Sequence, residues 1–249
     1  MTKIKAILII FLIVACNSED ANDCFQTSGR LITEEREVTP FSRILVNENV
    51  NLIIREGDDF NVSVETGANL INEVEVEVIG DQLVLSDTND CNFVRDFGIT
   101  VIIVTAPDIT EIRSSTQFDV RSEGVLTFEN LRIISEDFGN DEFLNTGNFF
   151  LNIENESVTV IFNNLSNCFI EGSTNNLNVS FFAGNSRFEG SNFIVTDIEL
   201  FHRGTNDMLL FPTNSIRGDI FATGDVQIFN RPPVIEVIEH FNGRLIFRD

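Results

Sequence analysis

Gly184, Gly204, Gly224 and Gly243 follow one another at intervals of 20, 20 and 19 residues, and Asn164 stands another 20 residues upstream. Short apolar alternations flank each of them. Leu177-Asn178-Val179 leads into Gly184, Ile198-Glu199-Leu200 into Gly204, Ile216 to Ile220 into Gly224, and Val234 to Ile238 into Gly243. A period near twenty residues without helical spacing restricts a chain to a few repeat architectures. Leucine-rich repeats need leucines and an asparagine at fixed offsets, which these units lack. A coil of parallel strands fits, one unit to each circuit, with Val, Ile, Leu and Phe stacked inside. Gly and Asn are then expected at left-handed corners that other residues resist. The chain contains 28 asparagines, and stacked asparagines can bond along such an axis.

Upstream, residues 38–106 read as short strands. Val50-Asn51-Leu52-Ile53-Ile54 and Asn61-Val62-Ser63-Val64-Glu65 flank a turn at Gly57-Asp58-Asp59. Glu73 to Val78 alternates strictly, with three valines on one face and Glu73, Glu75 and Glu77 on the other, a solvated row before it is a cation site. Gly80-Asp81 turns into Leu83-Val84-Leu85, and Val101 to Val104 closes the segment before Pro107. No stretch carries a sustained 3.6-residue pattern, so almost no helix is expected. A sandwich of hairpins would require Asn-Gly turns between its strands, and Asn242-Gly243 is the only such pair.

The first residues predict where the chain resides. Lys3 and Lys5 precede an apolar run from Ala6 to Ala15, too short to span a bilayer as a helix, which ends at Cys16. Leu12-Ile13-Val14-Ala15-Cys16 resembles the lipobox of bacterial lipoproteins, in which the cysteine is diacylated with palmitate-type chains and becomes the new N-terminus. Residues 1–15 are therefore expected to be a signal peptide, 16–37 a lipidated acidic tether without periodicity, and 38–249 the folded domain. Membrane attachment is expected through Cys16 rather than through a barrel. Glu19-Asp20 resembles the surface-export signal of Bacteroidetes lipoproteins, which implies a surface-exposed outer-membrane protein; a periplasm-facing one is the alternative.

Composition narrows the partners. Both lysines lie in the signal, so the remainder carries 14 arginines against 39 acidic residues, a formal −25. Nucleic acid and anionic headgroups are disfavoured by that field. Lysine-based chemistry is absent with the lysines. Hydrophobic residues at 43% and 24 Phe permit a large core, and the lack of Trp and Tyr makes a carbohydrate-stacking platform less expected. Behind a secretory signal, Cys24 and Cys91 are candidates for a disulfide, whose closed loop of ~65 residues would contribute about 4 kcal/mol by chain entropy. Cys168 reads as a small buried hydrophobe.

Candidate chemistry is sparse. His202 and His240 read as isolated surface residues, and zinc lacks a ligand cluster. Glu136, Asp137, Asn140, Asp141 and Glu142 form the densest oxygen-rich group, a weak calcium candidate without an EF-hand or nonapeptide pattern. No Gly-x-Ser-x-Gly elbow occurs. Arg121, Arg187, Arg203 and Arg217 are expected to pair with neighbouring acids.

Phe41 to Val46, the stretch Asn49 to Gly57, the strand Val101 to Pro107 and the C-terminal string Gly224 to Pro233 occur in an order that resembles the bacterial family called putative auto-transporter adhesin, head GIN domain. Several corners that are Ser-Gly-Ser in that family are Glu136-Asp137-Phe138 or Asn163-Asn164-Leu165 here. The resemblance implies a right-handed parallel β-helix and carries over no catalytic or binding residue. The expected function is a non-catalytic, cofactor-free surface adhesion or binding module, with a surface glycan or protein as partner. A carbohydrate-active enzyme (polysaccharide lyase or hydrolase) and a passive envelope scaffold are the alternatives.

Overall fold

The computed structural model describes residues 23–89, 91–136 and 145–248. Among them the chain is all-β: seventeen strands join one mixed sheet, there is no α-helix, and 3-10 turns occur at Asp23–Phe25 and Ile71–Glu73. The strands are β1 (Leu31–Arg36), β2 (Arg43–Val46), β3 (Asn51–Glu56), β4 (Asn61–Gly67), β5 (Val74–Ile79), β6 (Gln82–Asp87), β7 (Val101–Ala106), β8 (Glu111–Ser114) and β9 (Val120–Ser122). They continue with β10 (Asn130–Ser135), β11 (Phe149–Phe162), β12 (Cys168–Phe181), β13 (Phe188–His202), β14 (Met208–Ile220), β15 (Val226–Ile228), β16 (Val234–Glu239) and β17 (Leu245–Phe247).

From β10 onward every pairing is parallel, and each strand lies beside the one that follows it by a single repeat. Phe149 stands opposite Cys168, Cys168 opposite Phe188, Phe188 opposite Met208, Met208 opposite Val226, and Val226 opposite Leu245. The row extends backwards through Val120 and Leu52 to Ile102. From Ile102 to Val226 it is fully buried, so the in-register apolar positions become one continuous core column. A second column holds Phe162 and Phe181, their rings stacked 5.5 Å apart at 4°.

His202 continues that second column. It lies opposite Phe181, with the ring centroids 6.2 Å apart, and is completely buried. The expectation of a surface histidine is thereby corrected: its position in the β13 alternation points it inward. Burial pushes its pKa down, partly opposed by the backbone of Asn206 and Gly224 and the charges of Asp207 and Asp225. Cys168 is free and buried in the first column, and burial pushes its thiol pKa up.

Two of the corner glycines, Gly224 and Gly243, serve a purpose other than the one expected. Of the four, only Gly184 has a left-handed backbone, at φ 85°. At Gly224 a Cβ would lie 2.0 Å from the Asn206 carbonyl oxygen, and at Gly243 2.2 Å from that of Gly224. The turns of successive repeats stack too closely for a side chain. Gly204 meets nothing nearer than 3.4 Å. Polar side chains bridge the repeats as well: Asn167 Nδ2 donates to Asn148 Oδ1 at 2.9 Å, and Thr174 Oγ1 to Asn155 Oδ1 at 2.8 Å.

The N-terminal part departs from a uniformly parallel arrangement. β4 runs antiparallel to both β1 and β7, and β5 with β6 forms a hairpin about Gly80-Asp81, with Gly80 at φ 68°. β1 also corrects the tether, since Leu31–Arg36 was expected within residues 16–37 to lack structure. Its polar residues find backbone partners along β4 rather than a core, so periodicity gave no sign of it. Cys24 and Cys91 are joined by a disulfide.

Candidate surface-binding groove

Outward positions of the parallel strands set up a concavity on one side of the sheet. In β11 and β12, Phe149, Leu151, Cys168 and Ile170 point inward, so Phe150, Asn152, Phe169 and Glu171 face out. The pairing then slips between Phe169 and Glu171 where β12 meets β13, and again between Glu189 and Ile194 where β13 meets β14. Such irregularities bend a strand and disrupt its ladder. Here they coincide with a groove of about 400 Å³ whose lining includes Phe150, Phe169, Glu171, Glu189, Ser191 and Asn192. Gly190 sits at the slip, and a Cβ there would come within 2.5 Å of the Phe188 ring, so glycine leaves room for a core phenyl beneath.

The groove has an aromatic wall and a polar rim. The Phe150 and Phe169 rings stack 4.8 Å apart at 6°, and the Arg121 guanidinium covers Phe150 at 3.9 Å. Glu189 is fixed by Arg187 at 2.7 Å and by Ser191 Oγ at 3.0 Å, and Asn152 Nδ2 donates to Glu171 at 3.3 Å. A wall that is apolar beside carboxylates and amides suits a ligand with both hydroxyls and C–H faces.

Two other outer features lie apart from it. Phe182, Phe201, Phe221 and His240 form a ladder with ring separations of 5.2, 5.3 and 4.1 Å. His240 Nε2 meets Asp219 at 2.6 Å. A smaller depression of about 250 Å³ involves Asp197, Ser215 and Arg217. Hydrogen bonds from Ser215 and then Asn214 hold the Asp197 carboxyl below its usual range.

The residues singled out from the sequence fare differently. Arg121 pairs with Asp119 at 2.6 Å, Arg187 with Glu189, and Arg217 with Glu236 at 3.0 Å; Arg203 makes no ion pair among the described residues. Of the calcium candidates, Glu136 binds Arg113 at 2.9 Å, while Asp137, Asn140, Asp141 and Glu142 lie outside the described residues, as does Cys16. Among the described residues no three His, Cys, Asp or Glu side chains gather to hold a metal ion. Sequence reasoning missed the Phe150–Phe169 wall. Its signal was available, because both phenylalanines directly follow core residues of one column, one repeat apart.

The fold has solved counterparts. A putative adhesin from Bacteroides fragilis superposes with a TM-score of 0.78 at 19% identity, covering 89% of this chain and 99% of the other. A putative adhesin from Parabacteroides distasonis gives 0.64 at 14% identity, covering 89% and 98%, and a protein from the same organism described as a putative lipid binding protein gives 0.59 at 12%, covering 88% and 97%. No curated protein matches the sequence. The family model described as putative auto-transporter adhesin, head GIN domain, matches residues 40–232, and the chain belongs to that family.

Proposed function

We propose that this chain is a lipid-anchored, non-catalytic binding module of the outer membrane, exposed at the cell surface, which holds a neutral glycan in the Phe150–Phe169 groove. The observation that carries this reading is the groove itself, a half-buried aromatic wall edged by oriented amides and carboxylates. Phe150 and Phe169 supply apolar C–H edges where Trp or Tyr commonly supplies a ring face elsewhere, since Phe150 is stacked between Phe169 and Arg121. The acidic surface disfavours an acidic polymer as ligand. Two relatives of the fold are named as adhesins, which agrees with a role in surface attachment. The parallel pairing at one-repeat intervals favours a right-handed parallel β-helix, a rigid rod that presents the groove on its long side. Acylation of Cys16 would tether that rod, and Glu19-Asp20 favours export to the outer leaflet.

A carbohydrate-active enzyme is the second reading, because Glu171 and Glu189 line the same groove. One experiment addresses both. The whole chain and a Phe150→Ala/Phe169→Ala double variant are applied to a glycan array, and bound glycans are analysed for new ends. Retention of a neutral glycan by the parent alone, without new ends, is the expected result. An array on which the parent retains nothing, or on which both proteins bind equally, refutes the groove. Protease added to intact cells should degrade the protein; survival until lysis refutes surface exposure.

A further inference from the structure

The loop between β6 and β7 displays apolar side chains that the core does not use. Phe93 is 73% exposed, Phe97 72% and Val94 52%, and Phe25, 54% exposed, places its ring 5.7 Å from that of Phe93. The display is held in place. Asn92 Oδ1 accepts from the Val94 and Arg95 amides at 3.1 and 2.8 Å, and the Arg95 guanidinium donates to the carbonyls of Gln26 and Asn89 at 3.2 Å each. The Cys24–Cys91 disulfide and a bond from the Phe93 amide to the Cys24 carbonyl at 3.0 Å fasten the loop to the start of the described chain.

That attachment fixes the position of the patch. Cys24 is the eighth residue after Cys16, and eight residues span at most about 28 Å. If Cys16 carries acyl chains, as the proposed function holds, Phe25, Phe93, Val94 and Phe97 are confined to the neighbourhood of the bilayer. Apolar side chains gain from burial at a membrane interface, and three Phe and one Val pinned in and beside one loop add to each other. Asp96 within the loop and the strongly acidic chain around it select zwitterionic over anionic headgroups.

We infer that Phe25, Phe93, Val94 and Phe97 form a foot that inserts into the headgroup region of a zwitterionic bilayer and orients the groove-bearing domain on the membrane. The inference rests on the proposed lipid anchor, and the test separates the two. The protein has no Trp and no Tyr, so one introduced Trp reports without background. Phe97→Trp and, as a second position, Phe93→Trp are compared with Phe241→Trp. Phe241 is also exposed, at 56%, but it precedes the opposite end of the first core column, eight strand spacings or about 38 Å away. Each full chain is recovered from membranes and reconstituted into phosphatidylcholine vesicles with and without brominated phosphatidylcholine, and its N-terminal peptide is weighed for acylation. A blue shift and several-fold quenching at positions 93 and 97, with none at 241, is the expected result. Emission at 93 and 97 that ignores brominated lipid overturns the foot, whether or not Cys16 is acylated. Equal quenching at all three positions overturns it too. Quenching at 93 and 97 in an unacylated chain sustains the foot and removes the anchor.

Discussion

Replacing Gly224 by Ala and, separately, Gly204 by Ala tests whether the periodic glycines answer to stacked turns or to left-handed corners. Neither residue has a positive φ, so an alanine is conformationally allowed at both. Each substitution removes freedom from the unfolded chain, which favours the folded state by ~0.4–1 kcal/mol and cancels in the comparison. The difference comes from space. At Gly204 the new methyl meets the His202 ring edge at 3.4 Å and the Gly184 carbonyl oxygen at 3.6 Å, both ordinary contacts. At Gly224 it falls 2.0 Å from the Asn206 carbonyl oxygen and 2.6 Å from His202 Nε2, so the backbone of one turn must move off another. Overpacking of this kind costs ~1–3 kcal/mol. With roughly 2–4 °C of Tm per kcal/mol in a chain of this size, a cost near 2 kcal/mol separates the variants by about 4–8 °C. Far-UV circular dichroism on heating measures it without any intrinsic fluorophore. Equal Tm values, or a larger loss at Gly204, would refute the stacked-turn account.

Two further outcomes are expected. His202 is buried with its pKa below the ordinary 6.5, so the unfolded chain binds its proton more readily, and its contribution to stability is complete above that value and declines as pH falls toward the folded pKa. His202→Phe should therefore lose less stability than the parent between about pH 7.5 and about pH 5.5 in denaturant titrations; identical slopes would contradict the buried neutral ring. Reducing the Cys24–Cys91 bridge, which joins residues 67 apart, should cost about 4 kcal/mol by chain entropy and roughly 10 °C in Tm. A melt indifferent to reductant would show that the loop is already ordered when unfolded.

The repeat was legible because interior columns impose the same demand at each pass. Phe149, Cys168, Phe188, Met208 and Val226 share one buried row, and the apolar positions between corner glycines announced it. Gly224 and Gly243 were found for the wrong reason. A position that tolerates only glycine looks the same in sequence whether φ or a neighbouring carbonyl excludes the side chain. His202 was read as an isolated surface residue, although its alternation with Leu200 within β13 already put it inside. The mixed pairing of β1, β4 and β7 left no such trace. Antiparallel and parallel strands share a two-residue alternation, and β1 is exposed along most of its length.

The groove was harder to foresee because the positions that line it are the ones packing leaves free. An outward residue on a parallel strand need only be soluble, so Phe150 and Phe169 carry a message only when their shared column and their stacking are known. The slips at Phe169/Glu171 and Glu189/Ile194 accompany the concavity, and each changes the local repeat length by a residue or more. A strict period would keep the outer face ruled and shallow. The same irregularities that blur the periodic signal are therefore where a ligand has room. The apolar loop at Phe93 to Phe97 follows the same reasoning from the other side, since four exposed hydrophobic side chains pinned by a disulfide and an arginine satisfy no requirement of the core. In a fold whose interior is set by repetition, departures from the repeat are the places to look for function.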